Sequence, residues 1–213
     1  FSPDGTEVWT SQMTAPGAVL VLDAESLDDK QTIEVGEQPA EVTFSADGVY
    51  AFVANGASDS VTVIDASTKE LVKTIPTGDG PVGAWQGSNG VAYVDNEPGQ
   101  SLTAVDTSSL EVLLTYELGF MPGMAAFGPD RQVWVTDAEN GKVVFYSTSM
   151  DGATGEIATG PGAHAIAFNG SGSMAYISNQ LGDTVSVIEL ESGRVVSTIP
   201  VGSKPNGLAW RSR

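Results

Sequence analysis

Cysteine is missing from the chain, which excludes disulfides, thiolate metal sites, thiol nucleophiles and covalent c-type haem attachment. Basic residues are scarce: 9 Lys and Arg stand against 27 Asp and Glu, a net charge of −18. A surface of that sign repels nucleic-acid phosphates and anionic headgroups, so neither DNA nor RNA is an expected partner. The charge reads as a device for solubility or as an attractor of cations and basic partners. No apolar run approaches the length of about 18 residues that a membrane-spanning helix needs, so no membrane insertion is expected. No initiator Met and no leader-like segment is seen, and the expected origin is a processed product or a portion of something longer. Histidine occurs once, as His164.

What is abundant is punctuation. The 25 Gly and 11 Pro, with many Asn, Asp and Ser, mark frequent turns and therefore short strands. With 41% hydrophobic residues the chain still has the material for a packed core.

Laid over itself, the sequence repeats every 41 to 43 residues, at Phe1, Phe44, Gln86, Phe127, Phe168 and Trp210. A turn-rich tetrad follows each of the first five anchors: SPDG, SADG, GSNG, GPDR, NGSG. Next comes an aromatic or β-branched run (EVWT, VYAFVAN, VAYVDN, QVWVTD, MAYISN), a polar loop, and a second apolar run (AVLVLD, SVTVID, SLTAVD, KVVFYS, TVSVIE). A third run ends in a Gly loop, as in KQTIEVG and ELVKTIPTG, and a fourth closes the unit: PAEVTF, PVGAWQ, PGMAAF, AHAIAF, PNGLAW. Apolar–polar alternation between Gly, Asp and Asn turns predicts strands joined by hairpins. Four short strands per unit of about 42 residues is the mark of a β-propeller blade, whereas a helical solenoid needs long Ala- and Leu-rich segments.

The expected fold is therefore all-β: one β-propeller domain over 1–213 made of five four-stranded antiparallel blades. The blades are expected at 37–78, 79–119, 120–160 and 161–202, with 1–36 completed by the C-terminal strand 205–210. Pairing of 205–210 with the N-terminal strands would close the ring without a covalent link. Five consecutive blades cut from a larger ring is the other account of the same offset.

Residues 50–81, YAFVANGASDSVTVIDASTKELVKTIPTGDGP, resemble the YVTN-type β-propeller repeat, and so do residues 175–210. The resemblance covers the whole chain and is weaker in the third and fourth units, where Gln86 holds an anchor position and ATGEIATG replaces the TIPVG pattern. It implies a propeller and a mixed set of roles: surface-layer or secreted proteins, lactonase-like enzymes, and propellers carrying redox cofactors. Most such rings have seven blades, and five departs from that pattern.

In a propeller the loops from outer strand to next inner strand, and those from second to third strand, share one face around the channel, the default binding rim. The first set reads GEQP, TGDGP, LGFMP, TGPGA and VGSKP; the second reads SQMTAPG, NGASDS, DNEPGQ, DAENGK and NQLGDT. Candidate ligand-binding residues at the channel mouth are His164, Phe120, Met121, Asn206 and Glu41. His164 is a general base, a metal ligand, or a hydrogen-bonded side chain of a drifted repeat. Phe120 and Met121 contact an apolar ligand or pack under the loop. Asp137, Glu139 and Asp183 are candidate ligands for calcium or another divalent cation, since hard oxygens suit such ions; Asx residues at turns also bond their own backbone. Asn55, Asn96 and Asn179 read most simply as turn formers.

No pair of carboxylates converges on the inner strands, where Glu41 is the single one, and no G-x-S-x-G elbow, Rossmann fingerprint or P-loop is present. The expected role is non-catalytic: a binding or scaffold propeller outside the cytoplasm, offering its rim loops to a protein, a glycan or a small ligand. A lactonase- or hydrolase-like enzyme with a divalent cation at the channel mouth is one alternative. A propeller domain or subunit of a redox complex is the other.

Overall fold

A computed structural model describes residues 1–149 and 152–211. Nineteen strands form five antiparallel sheets among these residues. The first sheet holds β1 (Glu7–Gln12), β2 (Ala18–Asp23) and β3 (Asp29–Glu34); the second holds β4 (Pro39–Phe44), β5 (Tyr50–Asn55), β6 (Ser60–Asp65) and β7 (Leu71–Pro76). The third holds β8 (Pro81–Gln86), β9 (Val91–Asn96), β10 (Ser101–Asp106) and β11 (Val112–Glu117). The fourth holds β12 (Pro122–Phe127), β13 (Val133–Asp137), β14 (Lys142–Tyr146) and β15 (Ala153–Ala158), and the fifth β16 (Ala163–Phe168), β17 (Met174–Asn179), β18 (Thr184–Glu189) and β19 (Arg194–Pro200). Every sheet is a meander in chain order, as hairpin-sized connections require. The chain divides into two compact units, Phe1–Thr115 and Tyr116–Arg213.

The tetrad after each anchor is a side-chain-stapled turn. In Ser45–Gly48 the Ser45 hydroxyl donates to Asp47 at 2.6 Å and accepts from the Tyr50 amide at 3.0 Å, while Gly48 turns the corner at φ +74°. Ser2, Asp4 and Gly5 repeat the device. Only glycine adopts that φ without strain, and a Cβ on Gly48 would also come within 2.9 Å of Pro3. Gly48→Ala is expected to cost about 1–2 kcal/mol, read by denaturant unfolding of the full chain. Between second and third apolar runs, Asp65 accepts amide hydrogens from Ser67 and Thr68, both at 2.8 Å, and Lys69 follows at φ +64°. Asp23 and Asp106 do the same, and these bonds hold all three carboxyls at about 2.

Within the first unit the sheets pack face to face in sequence order. Trp9, Val19, Val21 and Ile33 meet Ala51, Val53 and Ile64 of the second sheet. The opposite face of that sheet, Phe52, Val61, Val63 and Ile75, meets Ala84, Ala92, Val94 and Val105 of the third. Alternation thus feeds two seams from each central strand. In the second unit Trp134 and Val143 of the fourth sheet meet Ala175, Ile177 and Ile188 of the fifth. Edge-on aromatic pairs mark the seams: Trp9 with Phe44 at 5.1 Å, and Trp134 with Phe168 at 5.2 Å.

Asn55, Asn96 and Asn179 do more than form turns. Each is fully buried and donates its amide hydrogens to two hydroxyls of the following strand: Ser60 and Thr62, Ser101 and Thr103, Thr184 and Ser186. A glycine of the preceding sheet's exit loop lies flat on each amide. A Cβ on Gly36 would stand 2.6 Å from Asn55, one on Gly78 2.8 Å from Asn96, and one on Gly160 2.8 Å from Asn179. This is why the third run so regularly ends in Gly.

One expectation is corrected. Residues 205–210 form no strand, β1 has β2 as its ladder partner among the described residues, and the first sheet has three strands rather than four. The tail instead lies along the fifth sheet, with Trp210 stacked on Tyr176 at 5.6 Å and 17°. Trp210 therefore takes the seam position that Phe44 and Phe168 take in earlier repeats, against an aromatic ring of the preceding sheet.

Candidate functional site

The loops of the rim are tied to one another by backbone. Gly56 and Ala57 donate to the carbonyls of Gln38 and Glu37, and the Glu37 amide donates to the Ser58 hydroxyl at 2.8 Å. Glu97 and Gly99 donate to Gly80 and Asp79, and the Gly80 amide donates to Asp59 Oδ1 at 2.9 Å. In the second unit Gln180 and Leu181 donate to Gly162 and Pro161, and the Lys204 amide donates to Asp183 Oδ1 at 2.8 Å. Asp59 and Asp183 sit at positive φ to make this reach.

That geometry accounts for the acidic candidates. Asp183 is engaged with Lys204, and Asp137 is buried with both oxygens on Asn140, at 3.0 Å to its amide and 2.8 Å to its side chain. Glu139 is exposed on the same loop. Among the described residues no group of three or more His, Cys, Asp and Glu side chains is placed to hold a metal ion. His164 is half-buried with Nδ1 3.1 Å from the Asn206 carbonyl, and the Gln180 side chain donates to Asn206 Oδ1 at 2.7 Å. The two candidates thus meet each other, and their contact fastens the tail to the fifth sheet. Phe120 is 8% exposed and Met121 is 51% exposed, so the pair splits into one packed ring and one surface thioether.

The strongest electrostatic anomaly lies in the first unit. Glu41 on β4 is half-buried, and burial followed by the charge of Asp95 pushes its carboxyl up to about 7, against the opposing Ala84 amide. Asp95 on β9 is 1% exposed. Burial pushes it up to about 7 as well, with the indole N–H of Trp85 opposing and the charge of Glu97 assisting. Asp95 Oδ1 accepts from Trp85 Nε1, while Oδ2 is buried without a hydrogen-bond partner. Gly83 makes room: a Cβ there would run into Asp95 Oδ1 and the Trp85 indole.

The repeat shows what Asp95 replaces. The same strand position carries Ser11, Ala54, Thr136 and Ser178. Ser11 donates to the Ala40 carbonyl at 2.6 Å, and Thr136 donates to the His164 carbonyl at 2.8 Å while accepting from the Met124 amide at 2.9 Å. A hydroxyl accepts and donates at once; a carboxylate only accepts. A protonated Asp95 restores both functions, consistent with its raised affinity for a proton. Asp95 lies outside the inner strands, where carboxylates lining a propeller channel are expected. The signal was present in VAYVDN set against YAFVAN and MAYISN, a carboxyl at a small or hydroxyl position.

A shallow groove of about 510 Å³ runs beside β3, β6 and β7, lined by Glu34, Asp59, Ser60 and Thr74 among others, apart from the Glu41–Asp95 pair.

No family model matches the chain, and no curated protein matches it. Solved structures do. A virginiamycin B lyase from Staphylococcus aureus aligns over 100% of this chain and 73% of its own, with TM-score 0.80 and 18% identity. A chain of the mitotic checkpoint complex aligns over 94% of this chain and 62% of its own, with TM-score 0.78 and 16% identity. The dihydro-heme d1 dehydrogenase NirN, in complex with DHE, aligns over 96% of this chain and 46% of its own, with TM-score 0.74 and 17% identity. The chain thus spans less than half of NirN and under two thirds of the checkpoint chain. All three are β-propellers, and at these identities the likeness establishes the β-propeller fold.

Proposed function

We propose that this β-propeller acts by binding, presenting its rim loops to a protein, a glycan or a small ligand outside the cytoplasm. The observation that carries the reading is the loop-to-loop locking of the rim. Loops already fixed by Ser58, Asp59 and Asp183 lose little conformational freedom when a partner arrives, which removes part of the cost of association. Met121 and Leu181, both well exposed on rim loops, supply apolar contacts within an acidic surround. A protein stands first among the three partner classes, because the checkpoint neighbour is a propeller inside a protein assembly.

A second reading, a hydrolase-like enzyme, is favoured by one observation: Glu41 and Asp95 both titrate near neutrality, as general acids and bases do. The two separate in one experiment. The wild type, a Met121→Ser/Leu181→Ser variant and a Glu41→Gln variant are applied to peptide and glycan arrays and to a panel of lactones and esters, with and without calcium. Binding is expected, weakened in the rim variant and retained in Glu41→Gln, with turnover at the level of the blank. Turnover abolished by Glu41→Gln would overturn the binding reading and establish the second.

A further inference from the structure

We infer that the groove beside β3, β6 and β7 binds a neutral saccharide, its hydroxyl floor donating to sugar oxygens and its two carboxylates accepting from sugar hydroxyls. The groove lies wholly within the first unit, between the end of β3 and the face of the second sheet. Its volume of about 510 Å³ is inside the range of about 300–1,000 Å³ usual for small-molecule sites.

The floor is polarised by what lies beneath it. Ser60 and Thr62 of β6 are 6% and 1% exposed, and each accepts an amide hydrogen from the Asn55 side chain, at 3.3 and 2.9 Å. Ser58, beside them, accepts the Glu37 amide at 2.8 Å. A hydroxyl whose oxygen already accepts still has its own hydrogen to give. Among the described residues none of these three gives it to a protein acceptor, so all three donors are left to the groove.

The homologous seams use the same groups internally. Ser186, bonded to Asn179 as Thr62 is to Asn55, donates to the Thr159 carbonyl at 3.1 Å. Ser101 lies on Gly78, where a Cβ would stand 2.5 Å from its Oγ, whereas a Cβ on Gly36 meets Asn55 first. The seam between the first and second sheets stays open instead.

The walls complete the pattern. Glu34 is exposed and enters no ion pair among the described residues, and Asp59 accepts the Gly80 amide on Oδ1, which leaves Oδ2. Leu71, 53% exposed, and Pro76 add apolar surface. Closely spaced donors and acceptors around a C–H face are what a sugar ring presents. Anions are repelled by the two carboxylates and by a net charge of −18. A basic side chain would satisfy the carboxylates but leave three hydroxyl hydrogens without acceptors, at a desolvation cost. A saccharide here rests on the glycan arm of the proposed function, at residues of the first unit, whereas Met121 and Leu181 belong to the second.

The test titrates the full chain with cellobiose, maltose, lactose and N,N′-diacetylchitobiose and, separately, with arginine amide and inorganic phosphate, following backbone amides by NMR. At least one disaccharide is expected to give saturable shifts confined to 34–37, 58–62 and 71–76. Thr62→Val should weaken that binding about tenfold and Glu34→Ala about threefold. Should Thr62→Val fail to fold, Glu34→Ala, which changes an exposed side chain, carries the test. Thr103→Val, the same exchange beside Asn96, should leave the affinity unchanged, as should Met121→Ser/Leu181→Ser. No shift with any disaccharide overturns the inference, as do equal shifts with arginine amide or phosphate, or sugar binding indifferent to both groove variants. Sugar shifts lost in Met121→Ser/Leu181→Ser but kept in the groove variants overturn the groove and sustain the rim reading. Groove shifts in a chain whose array binding ignores the rim variant do the reverse.

Discussion

Asp95→Asn is expected to stabilise the protein at about pH 8 by roughly 2–4 kcal/mol and to change little at about pH 4.5. The sign follows from the direction of the shift. Asp95 and Glu41 are both raised to about 7 in the folded chain, above the usual carboxyl range of about 4. Their neutral forms therefore contribute stability that is fully present below about pH 4 and is lost as pH rises through about 7. Asparagine keeps an acceptor for Trp85 and supplies a permanent donor in place of the proton. The same substitution removes the charge that raises Glu41, so the Glu41 titration should move down. Chemical denaturation at the two pH values, with NMR titration of the Glu41 side chain, checks both statements. Equal stabilisation at both would show that Asp95 does not hold a proton near neutrality.

Trp134→Ala should cost about 3–5 kcal/mol, the range for emptying a buried indole site. Trp134 is nearly inaccessible, packs against Phe145 at 4.5 Å and Phe168 at 5.2 Å, and donates to the Asp130 carboxyl. Removing it opens a seam between the fourth and fifth sheets and takes the indole donor from the exposed Asp130 carboxyl, which keeps its bonds from Gln132. Trp210→Ala, at the homologous edge of the fifth sheet but half in solvent, should cost about 1 kcal/mol. Guanidinium unfolding followed by amide exchange in 116–211 reads both. Near-equal costs would mean that the seam aromatics are not the main contact there.

The strands were legible because the repeat positions do the same physical jobs in unit after unit. Apolar residues at alternate places feed the two seams, Ser-x-Asp-Gly closes one turn in the first two repeats, and Asp23, Asp65 and Asp106 close the next turn in the first three. What escaped was whatever a single copy decides. Residues 205–210 lie by the fifth sheet, with Trp210 on Tyr176 and Asn206 on His164, and a pattern shared by every fourth run does not encode which sheet the last copy lies beside. The buried job of Asn55, Asn96 and Asn179 was hidden for another reason: their hydroxyl partners lie five and seven residues on, across a hairpin, and their glycine covers come from the preceding sheet. The site divided similarly. His164 and Asn206 are both candidates on the sequence, and their separation of one repeat implies adjacency, yet the bond between them serves attachment of the tail.

The interlocked rim also limits how such a protein can diversify. Because three loop pairs are measured against one another by amide bonds such as Gly56 to Gln38, Gly99 to Asp79 and Leu181 to Pro161, an inserted residue there would break two loops rather than lengthen one. New specificity would have to be written by exchanging side chains on loops of constant length, so relatives that recognise different targets should share loop spacing while differing in loop chemistry.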